Sequence, residues 1–163
     1  MEKRGAAAFV TGGSRGIGRA IVIRLTKDGI PTAFTYVGHQ EAADETLRLA
    51  AACNRDVGVR AYRMDVKDAA EVENVAEKVM EDFLNVGVVV NNAGVIRNNA
   101  AAMMTDEQWE EVIATDLSGP FFVIRSFLTH MMSRRWGRII NISSLAQEGS
   151  SGQANYPRQR RDS

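Results

Sequence analysis

Apolar residues fall along this chain in two alternating patterns. Short apolar runs recur at 6–11 (AAAFVT), 31–37 (PTAFTYV), 57–64 (VGVRAYRM), 86–92 (VGVVVNN) and 137–143 (GRIINIS). Their length and β-branched content predict strands, and the unbroken run at 86–92 predicts one buried on both faces. Between the runs the apolar positions take helical spacing. Ile17, Ile21 and Leu25 make one face, an Ala- and Leu-rich helix is expected over 41–53, and Val72, Val75, Ala76, Val79, Met80 and Phe83 stripe a helix over 68–83. Thr105 with Gln108 forms a capping box for a helix over 106–116. Gly119-Pro120 then predicts a fresh helix over 120–134, with proline in its tolerated first turn. That second helix is apolar almost all round and needs covering on more than one side.

Strands alternating with helices imply an α/β fold, a doubly wound parallel sheet with right-handed crossovers and helices on both faces. In such sheets ligands bind beyond the carboxyl ends of the strands, where the strand order reverses. The chemistry is therefore expected in the loops at 11–18, 36–40, 65–67, 91–97 and 143–156.

Composition narrows the function without choosing it. The 163 residues suffice for one domain with a core, and 20 basic residues balance 20 acidic ones, so no polyanion or anionic membrane partner is implied. The apolar run near the N-terminus is too short for a secretion signal, and no stretch reads as the ~20 apolar residues of a spanning helix. A single cysteine, Cys53, fits a reducing, cytoplasmic setting. His39 and His130 lie far apart with no cysteine nearby, so no metal site is expected.

The strongest chemical signal is TGGSRGIG at 11–18, between the first strand and first helix. Glycine lets a phosphate approach the backbone, and the helix start offers it unpaired N–H groups. The alternative, a tight turn with close helix–sheet packing, is weakened by the position of the motif. Sites for NAD place an acid at the end of the second strand, on the ribose 2′-hydroxyl. Tyr36 stands there instead, and Arg15 in the glycine loop can pair with a 2′-phosphate. NADP(H) is the coenzyme expected.

TGGSRGIG, MDV at 64–66, NNAG at 91–94 and INISS at 140–144 occur in the order and spacing of the short-chain dehydrogenase/reductase family, which this chain resembles from about residue 5 to Tyr156. NNAGVIRN, MTDEQWEEVI and WGRIINISS look most like its 3-oxoacyl carrier-protein reductases and acetoacetyl-CoA reductases. The resemblance implies a Rossmann-like sheet. It assigns Gly12, Ser14, Arg15, Gly16, Ile17 and Gly18 to the coenzyme phosphates, Asp65 and Val66 to the adenine, and Asn92, Ala93 and Gly94 to the ribose and nicotinamide. It also implies that Ser144 holds a substrate carbonyl and Tyr156 donates a proton to it, on a small-molecule or carrier-bound 3-oxoacyl thioester. For full-length members the resemblance implies a homo-oligomer. From the residues alone, Asp65 reads equally as a cap for the helix at 68–83, and Ser143 or Ser144 as a turn hydroxyl.

Three departures stand out. Asp116 replaces the asparagine that in the family helps hold a water near the catalytic lysine; an ionised aspartate accepts but cannot donate hydrogen bonds, so Asp116 reads as a functional variant in that catalytic position or as a helix-end residue. The stretch from Ser144 to Tyr156 is one residue shorter than in the nearest subgroup. Arg160 stands where the family has the lysine that lowers the tyrosine pKa, and guanidinium cannot shuttle protons. Residues 157–163 read as a polar tail outside the domain of 1–156, leaving a Rossmann-like sheet of about five strands, incomplete and truncated after Tyr156. One codon spelling of Pro157–Arg161, read two bases later, gives Ala-Pro-Ala-Lys-Gly, so a frame change is the expected cause. The function expected is NADP(H)-dependent reduction of a ketone to a secondary alcohol. The alternative is an inactive nucleotide-binding fragment, or an association partner of an intact homologue.

Overall fold

The structure, a computed structural model, describes residues 5–97 and 99–143. Five parallel strands form one sheet: β1 (Ala7–Val10), β2 (Thr32–Tyr36), β3 (Val59–Arg63), β4 (Val86–Asn91) and β5 (Arg138–Asn141). Their spatial order is β3-β2-β1-β4-β5. The chain winds outward from β1 to β3, then crosses back to β4 on the other side of β1. This is the reversal expected of a doubly wound, Rossmann-like sheet, and it opens a crevice above β1 and β4.

The pleat explains the two cores. Neighbouring strand residues face opposite ways, so Phe9, Ala33 and Val89 enter one apolar cluster while Val10, Phe34 and Val90 enter the other. The first cluster lies beneath α3 (Ala69–Phe83) and α5 (Gly119–Ser133), and the second beneath α1 (Gly16–Lys27) and α2 (Gln40–Cys53). Phe9 and Phe127, both fully buried, pack with their rings tilted by 44° and centroids 4.8 Å apart.

The four strands and the helices at 41–53 and 68–83 predicted before residue 92 are found with ends shifted by at most two residues. The region after 105 differs. The sequence predicts two helices separated at Gly119-Pro120, but α4 (Asp106–Ile113) runs into α5 without a break through a π-helical turn, Ala114–Ser118. Proline has no N–H to give to the carbonyl four residues back, and its ring crowds that carbonyl. The wider turn immediately before Pro120 accommodates this, with the Gly119 N–H donating to the Ala114 carbonyl five residues back. The predicted capping box at Thr105 and Gln108 is present.

Asp106–Ser133 is a single helix of 28 residues with mean hydropathy 1.2 in its most apolar window, so by length and composition it meets the requirement for crossing a membrane. Its Val112, Val123, Phe127 and Met131 are buried, the last three in the cluster beneath the sheet.

Candidate nucleotide site

The carboxyl ends of the strands border a groove of about 630 Å³. It is lined by Gly12 and by Ser14 to Gly18, from Thr35 to His39, from Met64 to Lys67 and from Asn92 to Val95, with Glu111 and Thr115 closing the side nearest the long helix. Four of the five loops expected to carry the chemistry thus meet in one place. Ser144, Tyr156 and Arg160, on which the catalytic expectation rests, lie outside the described residues.

The glycine loop is held from both sides. Thr11 Oγ1 accepts from the Asn92 and Ala93 N–H groups, each at 3.0 Å. The Asn92 side chain donates back to the carbonyls of Thr11 and Gly12, at 3.0 and 3.1 Å. On the other side the Gly12 N–H reaches Thr35 Oγ1 at 3.3 Å, and the Gly13 N–H donates to the Thr35 carbonyl at 2.9 Å. Gly12 adopts φ +67°, a left-handed conformation that favours glycine. A Cβ on Gly18 would fall on the Gly12 carbonyl oxygen and the Asn92 amide, so only glycine lets α1 begin this close to β1 and β4. Asn92 is therefore committed to joining two loops, and its neighbours Ala93 and Gly94 present the groove wall.

Helix ends divide the same way. α3 and α4 have side-chain caps: Asp68 accepts from the Ala70 and Glu71 N–H groups, and Thr105 from that of Gln108. α1 and α2, which start at the groove with Arg15 and His39 at their N-caps, have none. The uncapped start of α1 is the positive end of a helix dipole. Asp65 is thus not the cap of α3, the alternative open from the sequence. Its Oδ1 accepts the Lys67 N–H at 3.0 Å and its Oδ2 lies 3.6 Å from the Lys67 ammonium, while its own N–H donates to Glu71. Val66 is 5% exposed and packs against Gly119.

Arg15 makes no salt bridge among the described residues. It borders a second hollow of about 540 Å³ together with Gly38, His39, Gln40, Glu41 and Ala42. Tyr36, at the end of β2, donates its hydroxyl to Gln40. No carboxylate occupies the end of β2, but Glu41 shares the hollow with Arg15, a neighbour the strand-end rule does not reach. At the far wall Arg97 forks onto Glu111 at 2.6 and 2.7 Å, pinning the chain beyond Gly94 to α4. Asp116, 1% exposed within the π-helical turn, accepts the Val95 N–H at 2.9 Å.

Sequence reasoning missed the parts played by Thr11 and Thr35. Both read as ordinary strand residues, and nothing in a single sequence marks a strand hydroxyl as the anchor of a neighbouring loop.

A family model described as short chain dehydrogenase matches residues 6–157. The chain belongs to the short-chain dehydrogenase family. It is 39% identical over 151 residues to the 3-oxoacyl-[acyl-carrier-protein] reductase of Staphylococcus aureus strain Mu50, covering 92% of this chain and 61% of the relative. It is 40% identical to the acetoacetyl-CoA reductase of Rhizobium meliloti, covering 91% and 59%. Among solved structures, an actinorhodin polyketide ketoreductase variant with NADPH superposes with a TM-score of 0.91 at 32% identity, covering 98% of this chain and 61% of that one. A metagenomic short-chain oxidoreductase in complex with NADP gives 0.89 at 30%, covering 96% and 69%. The chain spans about three fifths of the length of the curated relatives it matches. Over the part of those relatives that it spans, the chain has the short-chain dehydrogenase fold, and the described groove is its candidate site.

Proposed function

We propose that this chain binds NADP(H) in the groove and derives from an enzyme that reduces the ketone of a 3-oxoacyl thioester to a secondary alcohol. The observation that carries the coenzyme choice is Arg15, a cation without a salt bridge among the described residues, facing the hollow beside α2 where β2 ends in Tyr36. The residues present fit such a group. Gly12 and Gly18 let the loop and α1 pack closely beneath the groove, a Cβ on Gly16 at the groove wall would meet only open space, the start of α1 has no side-chain cap, and Arg15 offers a forked cation to a 2′-phosphate. The names of the relatives support the substrate class.

When bound, the coenzyme supplies hydride. The residues must manage the charge that hydride arrival builds on the substrate oxygen. Ser144 is proposed to hold that oxygen by a hydrogen bond, and Tyr156 to give it a proton. A phenol with its ordinary pKa near ~10 is a poor match for neutral pH and needs a neighbouring cation. Arg160 supplies charge at the family's lysine position but holds its protons too firmly to relay them. This favours a second reading, coenzyme binding without turnover.

The two readings separate in one assay. NADPH oxidation with acetoacetyl-CoA is followed for this chain and for Arg160→Lys, alongside thermal unfolding with and without NADPH. Turnover by the unaltered chain supports the enzymatic reading and removes the second. Stabilisation without turnover supports the second, and a ligand at 100 times its Kd adds about 2.7 kcal/mol. Absence of stabilisation by any nicotinamide coenzyme overturns both.

A further inference from the structure

Behind the glycine loop lies a polar latch that none of the groove-lining residues explains. The Arg19 guanidinium donates to the Ser14 carbonyl from Nε at 3.0 Å and from Nη2 at 2.6 Å. The same Nε lies 3.0 Å from Thr46 Oγ1, and the same Nη2 lies 3.1 Å from the Ala42 carbonyl. The Thr46 hydroxyl is itself 3.0 Å from both of those carbonyls. Thr46 is fully buried and Ser14 is 8% exposed. Arg19 makes no salt bridge among the described residues, so its charge is spent on backbone carbonyls and one hydroxyl.

The latch has a geometric consequence. No peptide bond described is cis, and in a trans peptide the C=O and N–H point in opposite directions. Drawing the Ser14 carbonyl toward Arg19 turns the Arg15 N–H away from it, at the start of α1 where Arg15 borders the groove. The other end of the latch grips Ala42, in the first turn of α2 and on the wall of the hollow that also holds Arg15 and His39. Arg19 and Thr46 therefore fix the loop that carries Arg15 at one distance from α2. A fixed cation that faces a phosphate without reorganising binds it better than a mobile one.

We propose that Arg19 and Thr46 are positioning residues that set the selectivity of the groove for a 2′-phosphorylated dinucleotide over its unphosphorylated counterpart. The proposal rests on the NADP(H) reading above but concerns residues behind the groove that need not touch the coenzyme.

The test is calorimetric titration of the full 163-residue chain with NADPH and with NADH, for wild type, Thr46→Val, Thr46→Ser and Arg19→Lys. Unfolding midpoints are measured in parallel. Thr46→Val keeps the volume but loses the hydroxyl. It is expected to weaken NADPH roughly tenfold, the effect of one charge-assisted hydrogen bond, and NADH by less, so that the affinity ratio falls. Thr46→Ser restores the hydroxyl and is expected to restore the ratio. Arg19→Lys, which replaces a fork by a point charge, is expected to lower the ratio with the fold intact, and it carries the test if Thr46→Val does not fold. Folded Thr46→Val and Arg19→Lys proteins with the wild-type ratio would overturn the proposal. So would equal losses for both coenzymes that merely follow lost stability. Wild type binding neither coenzyme is a different failure, that of the NADP(H) reading, and it takes this proposal with it.

Discussion

Asp116 illustrates how one atom can matter more than formal charge. Its Oδ1 takes the Val95 N–H, so the π-helical turn is tied to the loop that follows β4. That bond needs an acceptor, which aspartate and the family's asparagine both provide. Asp116→Asn is therefore expected to keep the fold and the groove. Asp116→Ala leaves a peptide N–H without its partner and is expected to cost about 1–3 kcal/mol. Urea unfolding of both variants checks this, and equal stability of Asp116→Ala and wild type would contradict it. Asp116 was visible in the sequence as a departure from the family. Its partner was not, because no local pattern links position 95 to position 116. The glycines at 12 and 18 were legible for the opposite reason: their spacing lies within one loop, and its steric demand is local. Arg19 and Thr46 sit 27 positions apart on faces that read as ordinary helix, and only the fold brings them to Ser14.

At the C-terminal end of α5, His130 gives the helix a pH-dependent weakness. Its Nε2 is buried, and burial together with the nearby Arg134 charge lowers its pKa from the ordinary 6.5. The sign follows from proton binding. Above about pH 6.5 the imidazole is neutral in the folded and unfolded chain, and its contribution to stability is intact. Below that the unfolded chain takes up the proton first, so stability falls as pH falls. Thermal midpoints between pH 8 and 5.5 are expected to drop less steeply for His130→Leu than for wild type, and identical slopes would rule this out. The strands were the most legible elements, since continuous β-branched runs such as Val86–Val90 suit few other environments. The join between α4 and α5 was the least legible. Gly-Pro normally marks a boundary, and only a π-helical turn, which has no sequence signature of its own, lets the helix continue through it.

Among the described residues β5 forms one edge of the sheet. β5 pairs only with β4 among the described residues, and Ile139 and Ile140 are 39% and 46% exposed. On the adjoining long helix Phe121, Leu128 and Met132 are exposed as well. A strand at the edge of the described sheet beside exposed apolar side chains favours association with other chains. The 163-residue chain is expected to elute from size-exclusion chromatography as an oligomer or aggregate, with Leu128→Glu and Met132→Glu shifting it toward monomer. A stable monomer at all concentrations would contradict this. The middle of the sheet is better defined, because the reversal of strand order between β1 and β4 was implied by the βα alternation, and the groove lies above it.

Titration calorimetry of folded wild-type chain against NADPH and NADH addresses the nucleotide assignment most directly. Saturable heat with NADPH, a weaker response to NADH, and a gap that narrows in high salt or in Arg15→Ala are the results expected. No heat with either coenzyme, or tighter binding of NADH, would contradict the assignment.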